Sequence, residues 1–254
     1  MINKKLLIYI ISFVFAAIII TAGFFAFTIN NVELNATFYT ENADRDNEIR
    51  AKLDEYVGDN LLFVDTDELI NALCEDPYID CVAVEKRFPN AVYVEIRERR
   101  PVYTVVDGES VYLLDEDGIV LSENDLENVQ EDYISLQLKD INILEKSLGK
   151  KLVTDRDEAV FNTFNIAKEI DITDCIKVIT VEYKIVQDDV IFDTNTEVKI
   201  RIIKSTERGI EKAKRAFELY DNELSDYIKS YNEIIAYEQN GEVVSGWTRH
   251  GENS

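Results

Sequence analysis

An uncharged, apolar segment near the N-terminus, Leu6 to Ile29, constrains this sequence more than any other feature. A helix over this segment would be about 36 Å long, which is enough to cross a hydrocarbon layer of about 30 Å. In lipid every backbone N–H and C=O group needs a partner within the protein, and a helix provides one for each. The segment therefore predicts a transmembrane helix over residues 6–29.

The charges that flank this segment predict its orientation. Lys4 and Lys5 precede it, and the next basic residue is Arg45. Because basic residues favour the cytoplasmic side, we expect residues 1–5 to form a cytoplasmic head and the rest to lie outside the cytoplasm. A cleaved signal peptide is the alternative. Its apolar core is usually about 7–15 residues long, so the greater length here favours a retained anchor.

The chain beyond the apolar segment is strongly acidic. All 50 Asp and Glu residues lie there, and the formal net charge of the whole chain is −23. Such a surface is repelled by nucleic acid and by anionic lipid headgroups, so we expect no nucleic-acid partner. A solvated surface that resists aggregation accounts for the charge.

The sequence lacks the residues that most catalytic and metal sites need. Its three cysteines (Cys74, Cys81 and Cys175) and its single histidine, His250, form no metal-ligand pattern. Nucleophilic catalysis by Ser or Cys usually needs a nearby base, most often His. We therefore expect that the protein is not an enzyme and that it binds no cofactor and no metal ion. A disulfide between Cys74 and Cys81 stays open, because an extracytoplasmic domain permits one.

Residues 30–101 predict a small α+β domain. An extended segment is followed by two amphipathic helices, Asp46–Val57 and Thr66–Cys74, and then by two strands that meet at Phe88-Pro89-Asn90. The order is strand–helix–helix–strand–strand. A three-stranded sheet with both helices on one face would bury a small core.

Residues 102–247 predict a β-rich domain with flanking helices, and residues 248–254 a disordered tail. Residues 123–153 are weakly patterned. Asp115 and Asp117 resemble turn formers more than Ca²⁺ ligands, because no Ca²⁺-loop spacing is present. The strands are predicted at 102–106, 111–114, 119–121, 176–186, 189–193 and 197–203, and the helices at 155–170 and 206–220.

The C-terminal region carries a strong hairpin signal. Asn240-Gly241 separates two β-prone runs, Glu233–Gln239 and Glu242–Trp247. Asn-Gly favours a two-residue hairpin turn because both central residues adopt positive φ. Trp247 could pack against the sheet. Alternatively, it could anchor a partner that adds a strand to the sheet edge.

A basic cluster interrupts the acidic sequence at Lys86-Arg87 and at Arg97–Arg100. One interpretation is a docking surface for an acidic partner. The other is charge on strand edges that prevents edge-to-edge pairing.

Four short motifs together resemble the FtsQ/DivIB family of bacterial cell-division proteins. In order they are Pro77-Tyr78-Ile79, Arg87-Phe88-Pro89, Glu98 to Pro101 and Asp115 to Gly118. The resemblance implies a short cytoplasmic head, one membrane span, a POTRA domain and a β domain that ends in a binding edge. Ala236 stands where some relatives carry Arg.

The resemblance also implies a function. The family consists of non-enzymatic scaffolds that bind FtsB/DivIC-like and FtsL-like single-span partners at the division septum and help to control the septal peptidoglycan synthase. By residue, it implies partner binding at Tyr237, Gly241, Val243, Val244, Gly246 and Trp247, and a possible POTRA docking surface at Arg87, Arg97, Arg99 and Arg100.

The implied location is the bacterial cell membrane, concentrated at the septum. Two other functions remain open on the sequence. One is a POTRA-type chaperone or translocation module that binds polypeptides, and the other is an extracytoplasmic receptor.

Overall fold

The computed structural model describes residues 4–38, 43–126, 133–171, 175–184, 187–223 and 232–249. The chain is α+β and divides into two compact units, Met1–Arg99 and Arg100–Ser254.

The first unit begins with an apolar helix, α1 (Lys4–Ala26). Among the helices of the described residues, only α1 is long and apolar enough to cross a membrane, and its apolar part is Ile8–Ala26. The prediction that the helix continues to Ile29 is wrong. Ile29 is buried in the core of the following domain, and its N–H donates to the carbonyl of Asp59 at 2.8 Å. The apolar side chain of Ile29 packs in the domain core and does not face the lipid.

The rest of the first unit has the predicted β-α-α-β-β order. Its sheet has the strand order β1-β3-β2, in which β1 runs parallel and β2 antiparallel to β3. The side chain of Asp65 accepts hydrogen bonds from the N–H groups of Asp67 and Glu68 and so caps α3. The elements are β1 (Asn31–Thr37), α2 (Ala43–Asp54), α3 (Thr66–Leu73), β2 (Ile79–Arg87) and β3 (Ala91–Glu98).

The second helix of this unit, α2, ends earlier than predicted. α2 stops at Asp54, whereas the sequence favoured Val57, because the next residues form turns that lead to Gly58. Gly58 has a φ of 102°, a value that glycine adopts readily.

The second unit is built on a nine-stranded sheet with the order β14-β13-β12-β11-β10-β7-β4-β5-β6. A two-stranded pair, β8-β9, lies apart from it. The strands are β4 (Tyr103–Asp107), β5 (Ser110–Leu114), β6 (Val120–Asp125), β7 (Ile134–Lys139), β8 (Ile143–Glu145), β9 (Val153–Thr154), β10 (Ile176–Lys184), β11 (Gln187–Thr194), β12 (Lys199–Ile203), β13 (Asn232–Gln239) and β14 (Glu242–Arg249).

Two helices, α4 (Asp157–Ile170) and α5 (Gly209–Glu218), contribute to the core of this unit. A π-helical turn, Leu219–Glu223, follows α5. The buried core joins residues of both helices to alternate residues of the sheet, such as Ile200 and Ile234.

A central strand of the second unit was missed on the sequence. β7 lies within the weakly patterned region and pairs in parallel with both β10 and β4. Its residues do alternate, with Ile134 and Leu136 buried and Gln137 and Lys139 exposed. The signal was therefore present, but it is only six residues long.

The Asp115 side chain forms the turn between β5 and β6. Its Oδ1 accepts hydrogen bonds from the N–H groups of Asp117 (3.0 Å) and Ile119 (2.8 Å). These contacts agree with the role of turn former. The described residues contain no cluster of acidic, His or Cys side chains arranged to hold a metal ion.

Candidate partner-binding edge

The last two strands form the predicted hairpin. Asn240 (φ 55°) and Gly241 (φ 83°) make its turn, and the pairing begins with Gln239 opposite Glu242. β14 ends the order of the nine-stranded sheet and is therefore an edge strand. It continues to Arg249, two residues past the predicted end, and residues 250–254 lie outside the described part.

The turn length decides which backbone groups of β14 stay available. In a two-residue hairpin the residues that flank the turn bond to each other, and bonded pairs then alternate with non-bonded pairs. Every second residue from Glu242 therefore bonds to β13. In contrast, Val243, Ser245 and Trp247 direct their N–H and C=O groups away from the sheet. This geometry is the one that an added strand requires.

The side chains of the hairpin lie on two faces. Trp247 is opposite the fully buried Ile234, so it lies on the face that the helices cover, yet it remains 46% exposed. Tyr237 is opposite Val244 on the other face, and both are half-buried. The structure thus brings the six predicted residues onto one hairpin. Val243 and Trp247 lie on the covered face, Tyr237, Val244 and Gly246 on the open face, and Gly241 in the turn.

Residues of α5 and of the turn before it hold the hairpin in place. Arg208 donates from Nη1 to the carbonyl of Gly241 at 2.9 Å and also pairs with Glu238 at 3.6 Å. A hydrogen bond from its side chain to Glu211 raises the pKa of Arg208. The hydroxyl of Ser245 reaches the carbonyl of Arg215 at 3.5 Å. Sequence reasoning missed Arg208, because nothing local indicates that it meets a turn thirty residues later.

An ion-pair group on the open face ties β13 to the sheet. Arg201 on β12 donates from Nε to Glu233 at 2.8 Å, and its Nη1 lies 3.5 Å from Glu182 and 3.6 Å from Asp189. Burial opposes the charge of Arg201, but the hydrogen bond to Glu233 and the nearby carboxylates raise its pKa overall. The hairpin therefore starts from a strand that is fixed on both faces.

The other edge of the sheet is covered along its first part. The N–H of Val120 on β6 donates to the carbonyl of Lys150 at 2.9 Å, and the N–H of Gly149 donates to the carbonyl of Val120 at 2.8 Å. Glu123 and Asp125 add acidic charge further along β6. Covered backbone and charge both discourage the addition of a strand, so β14 is the better candidate.

The structure separates the predicted basic residues into two places. Arg87 pairs with Glu33, and its guanidinium lies 3.9 Å from the ring centre of Tyr93. Arg97 and Arg99 both pair with Asp80, at 2.8 and 2.7 Å. Arg87 and Arg97 lie at opposite ends of the β2-β3 hairpin. Arg100 is the first residue of the second unit. Docking through these residues stays a prediction.

Comparisons with known proteins bear most directly on the first unit. Residues 27–99 match the family described as the FtsQ-type POTRA domain. The cell division protein FtsQ of Myxococcus fulvus is 46% identical over 61 residues, which are 24% of this chain and 21% of that protein. The cell division protein DivIB of Clostridium acetobutylicum is 24% identical over 91 residues, which are 36% of this chain and 34% of that protein.

Residues 27–99 therefore form a POTRA domain of the FtsQ type, and the curated proteins that match this chain are FtsQ and DivIB cell division proteins. The chain matches only 21% and 34% of the length of these two curated relatives. A solved structure of the major extracytoplasmic domain of the trans isomer of DivIB from Geobacillus stearothermophilus is also similar. It shares 16% identity with a TM-score of 0.30, over 50% of this chain and 98% of that one. A score of that size does not establish a common arrangement of the domains.

Within the POTRA domain, the contacts of one arginine connect two of the sequence motifs. Arg45 on α2 donates from Nε to Asp76 at 2.8 Å and pairs through Nη1 with Glu98, which is 2% exposed. Its guanidinium lies 4.8 Å from the ring centre of Tyr78. One arginine, which sequence reasoning missed, thus joins the motif at Pro77 to the motif that begins at Glu98.

Cys74 and Cys81 of the POTRA domain are free thiols. A hydrogen bond from the Cys81 side chain lowers the pKa of Cys74 to about 6, and the same bond raises the pKa of Cys81. The two sulfur atoms therefore lie side by side without a disulfide.

Proposed function

We propose that this chain is a non-enzymatic scaffold of the bacterial division apparatus. In this proposal α1 anchors it in the cell membrane, with the N-terminus in the cytoplasm and both units outside, and the protein concentrates at the septum. There it binds FtsB/DivIC-like and FtsL-like partners and helps to control septal peptidoglycan synthesis. The relatives are named cell division proteins, which supports this role.

The uncovered edge of β14 carries the proposal. Val243, Ser245 and Trp247 offer outward backbone groups along one strand, and Trp247 is 46% exposed beside them. A strand of the FtsB/DivIC-like partner would bond to these groups, and its side chains would contact Trp247 on one face and Val244 on the other. Backbone bonds provide affinity and the side-chain contacts provide specificity.

Ser245→Pro tests this mechanism. Proline removes the central outward N–H, but it is tolerated at an edge strand when the lost N–H does not bond to the sheet. We expect binding of the FtsB/DivIC-like partner to the full-length protein to fall at least about tenfold, since the lost hydrogen bond and the steric block both act on the same strand. Affinity would be measured by titration of the purified proteins in detergent.

Ser245→Ala is the matched control, because it removes the same hydroxyl and keeps the N–H. It should bind like the unaltered protein. Circular dichroism should show that both variants fold. Equal affinity of the proline and alanine variants would rule out strand addition at β14.

A further inference from the structure

Four exposed apolar side chains lie on segments that contact the last residues of α1 or the residues that follow it. They are Val57, Leu62, Phe63 and Phe88, and Phe63 is 77% exposed. We call this group the junction patch. Contiguous exposed apolar surface usually marks an interaction site in a protein that is otherwise as charged as this one.

Backbone contacts place the junction patch beside the last residues of α1. The Asn60 side chain donates to the carbonyl of Phe24 at 2.9 Å, and the N–H of Leu61 donates to the carbonyl of Phe27 at 2.8 Å. Leu62 and Phe63 follow directly, and the N–H of Leu62 donates to Asn60 Oδ1 at 3.0 Å. The first half of the patch is therefore attached to the helix end.

The second half of the patch is attached in the same way. The ring of Phe88 contacts the ring of Phe27 edge to face, with 6.0 Å between their centres. Val57 precedes Gly58, whose N–H donates to the carbonyl of Ile29 at 2.9 Å. No free linker separates α1 from the POTRA domain, so the patch has a fixed position relative to the helix.

The length of α1 decides where a bilayer must end. The apolar span Ile8–Ala26 has 19 residues, which gives about 28 Å of helix against a hydrocarbon layer of about 30 Å. The whole apolar span is needed to cross the hydrocarbon layer, so the residues just after Ala26 lie at the surface of that layer. The junction patch lies there as well, because its neighbours Gly58, Asn60 and Leu61 bond to residues 24–29.

From this geometry we infer that the junction patch is a membrane-docking surface, seated in the interfacial layer of the leaflet where α1 ends. Aromatic and aliphatic side chains at that depth gain by leaving water. Lys86 suits the same place, because its long apolar stem lets its ammonium reach headgroups; Nζ lies 3.4 Å from the carbonyl of Leu62. The inference rests on the proposed membrane crossing of α1 and is independent of partner binding at β14.

The net charge of −23 predicts repulsion from anionic headgroups, but it describes the whole chain. The members of the patch are uncharged, and Lys86 and Arg87, the last two residues of β2, directly precede Phe88. A docked patch would hold the POTRA domain at one orientation to the bilayer, which is a stronger constraint than a flexible tether provides.

Tryptophan fluorescence in the full-length protein tests this inference. The background variant Trp247→Phe removes the single native tryptophan. A new tryptophan is placed by Phe63→Trp, and the protein is reconstituted in phosphatidylcholine vesicles with or without brominated acyl chains, which quench indole only at short range. We expect quenching at least twofold stronger in the brominated vesicles than the control variant shows.

Val82→Trp is the matched control. Val82 is 53% exposed in the same domain, next to Cys81, which pairs with Ile96 near the far end of β3. Val82 lies about 16 Å further from the helix end than Arg87, the last residue of β2, measured along the strand. The fluorescence of a tryptophan at position 82 should therefore not depend on bromine. Phe15→Trp, within α1, should be quenched strongly and shows that the helix is inserted.

The outcomes separate the inference from its alternatives. Quenching at position 63 but not at position 82 supports membrane docking. If position 15 is quenched while position 63 is not, the patch faces water or awaits a protein partner, and the inference is overturned. If position 15 is unquenched, the crossing of α1 itself is overturned. None of these results depends on Ser245 or on the division partners.

Discussion

At the scale of residues, Gly118 shows why the motif that begins at Asp115 ends in glycine. Its φ is 78°, and a Cβ atom at this position would lie 2.4 Å from the Phe164 ring of α4. Backbone conformation and packing therefore both require glycine here.

Gly118→Ala should lower the free energy of unfolding of the second unit by about 3 kcal/mol, from the combined cost of the positive φ and the ring clash. Urea denaturation followed by Trp247 fluorescence measures this unit specifically, because Trp247 is the single tryptophan. Gly108→Ala is the control: its φ is 65° but its Cβ would meet nothing within 4 Å, so it should cost about 1 kcal/mol. Equal losses at both positions would contradict the packing argument.

At the scale of elements, Arg45 connects α2 to the loop before β2 and to the end of β3. Arg45→Met keeps the apolar stem and removes the charge that Glu98 and Asp76 face. We expect the POTRA domain to lose about 3 kcal/mol, because Glu98 is buried and loses a charged partner. Hydrogen exchange followed by mass spectrometry should show faster exchange in α2 and β3.

The control for this prediction lies on the same helix. Arg50 pairs with Asp46 one turn away, and its side chain is 59% exposed. Exposed pairs of this kind contribute little to stability because water and salt screen them, so Arg50→Met should leave the exchange of β3 unchanged. A similar effect of both substitutions would mean that the Arg45 contacts do not stabilise the domain.

At the scale of the whole molecule, the proposed function needs the anchor to be retained. A scaffold that meets two single-span partners must stay in the plane of the membrane with them. We expect a fluorescently tagged full-length protein to form a band at the division site of growing cells. A version in which a cleavable signal peptide replaces residues 1–26 should be diffuse outside the cytoplasmic membrane. A uniform envelope signal from the full-length protein would contradict the division role.

The sequence determined the features that depend on neighbouring residues. The apolar composition of residues 8–26 determines a helix fit to cross a bilayer. Asn240-Gly241 determines its hairpin, because the conformation is encoded in the two residues themselves. The β-α-α-β-β order follows from hydrophobic periods and turn signals within short segments.

Only the tertiary structure decided which distant segments meet. It assigned Ile29 to a protein core instead of to lipid, placed β7 in the middle of the large sheet, and brought Arg45 to Glu98. It also made β14 an edge, which is a property of the whole strand order and of no single strand. Such contacts depend on the free energy of burying surfaces that lie far apart in the chain, and local patterns carry no record of that free energy.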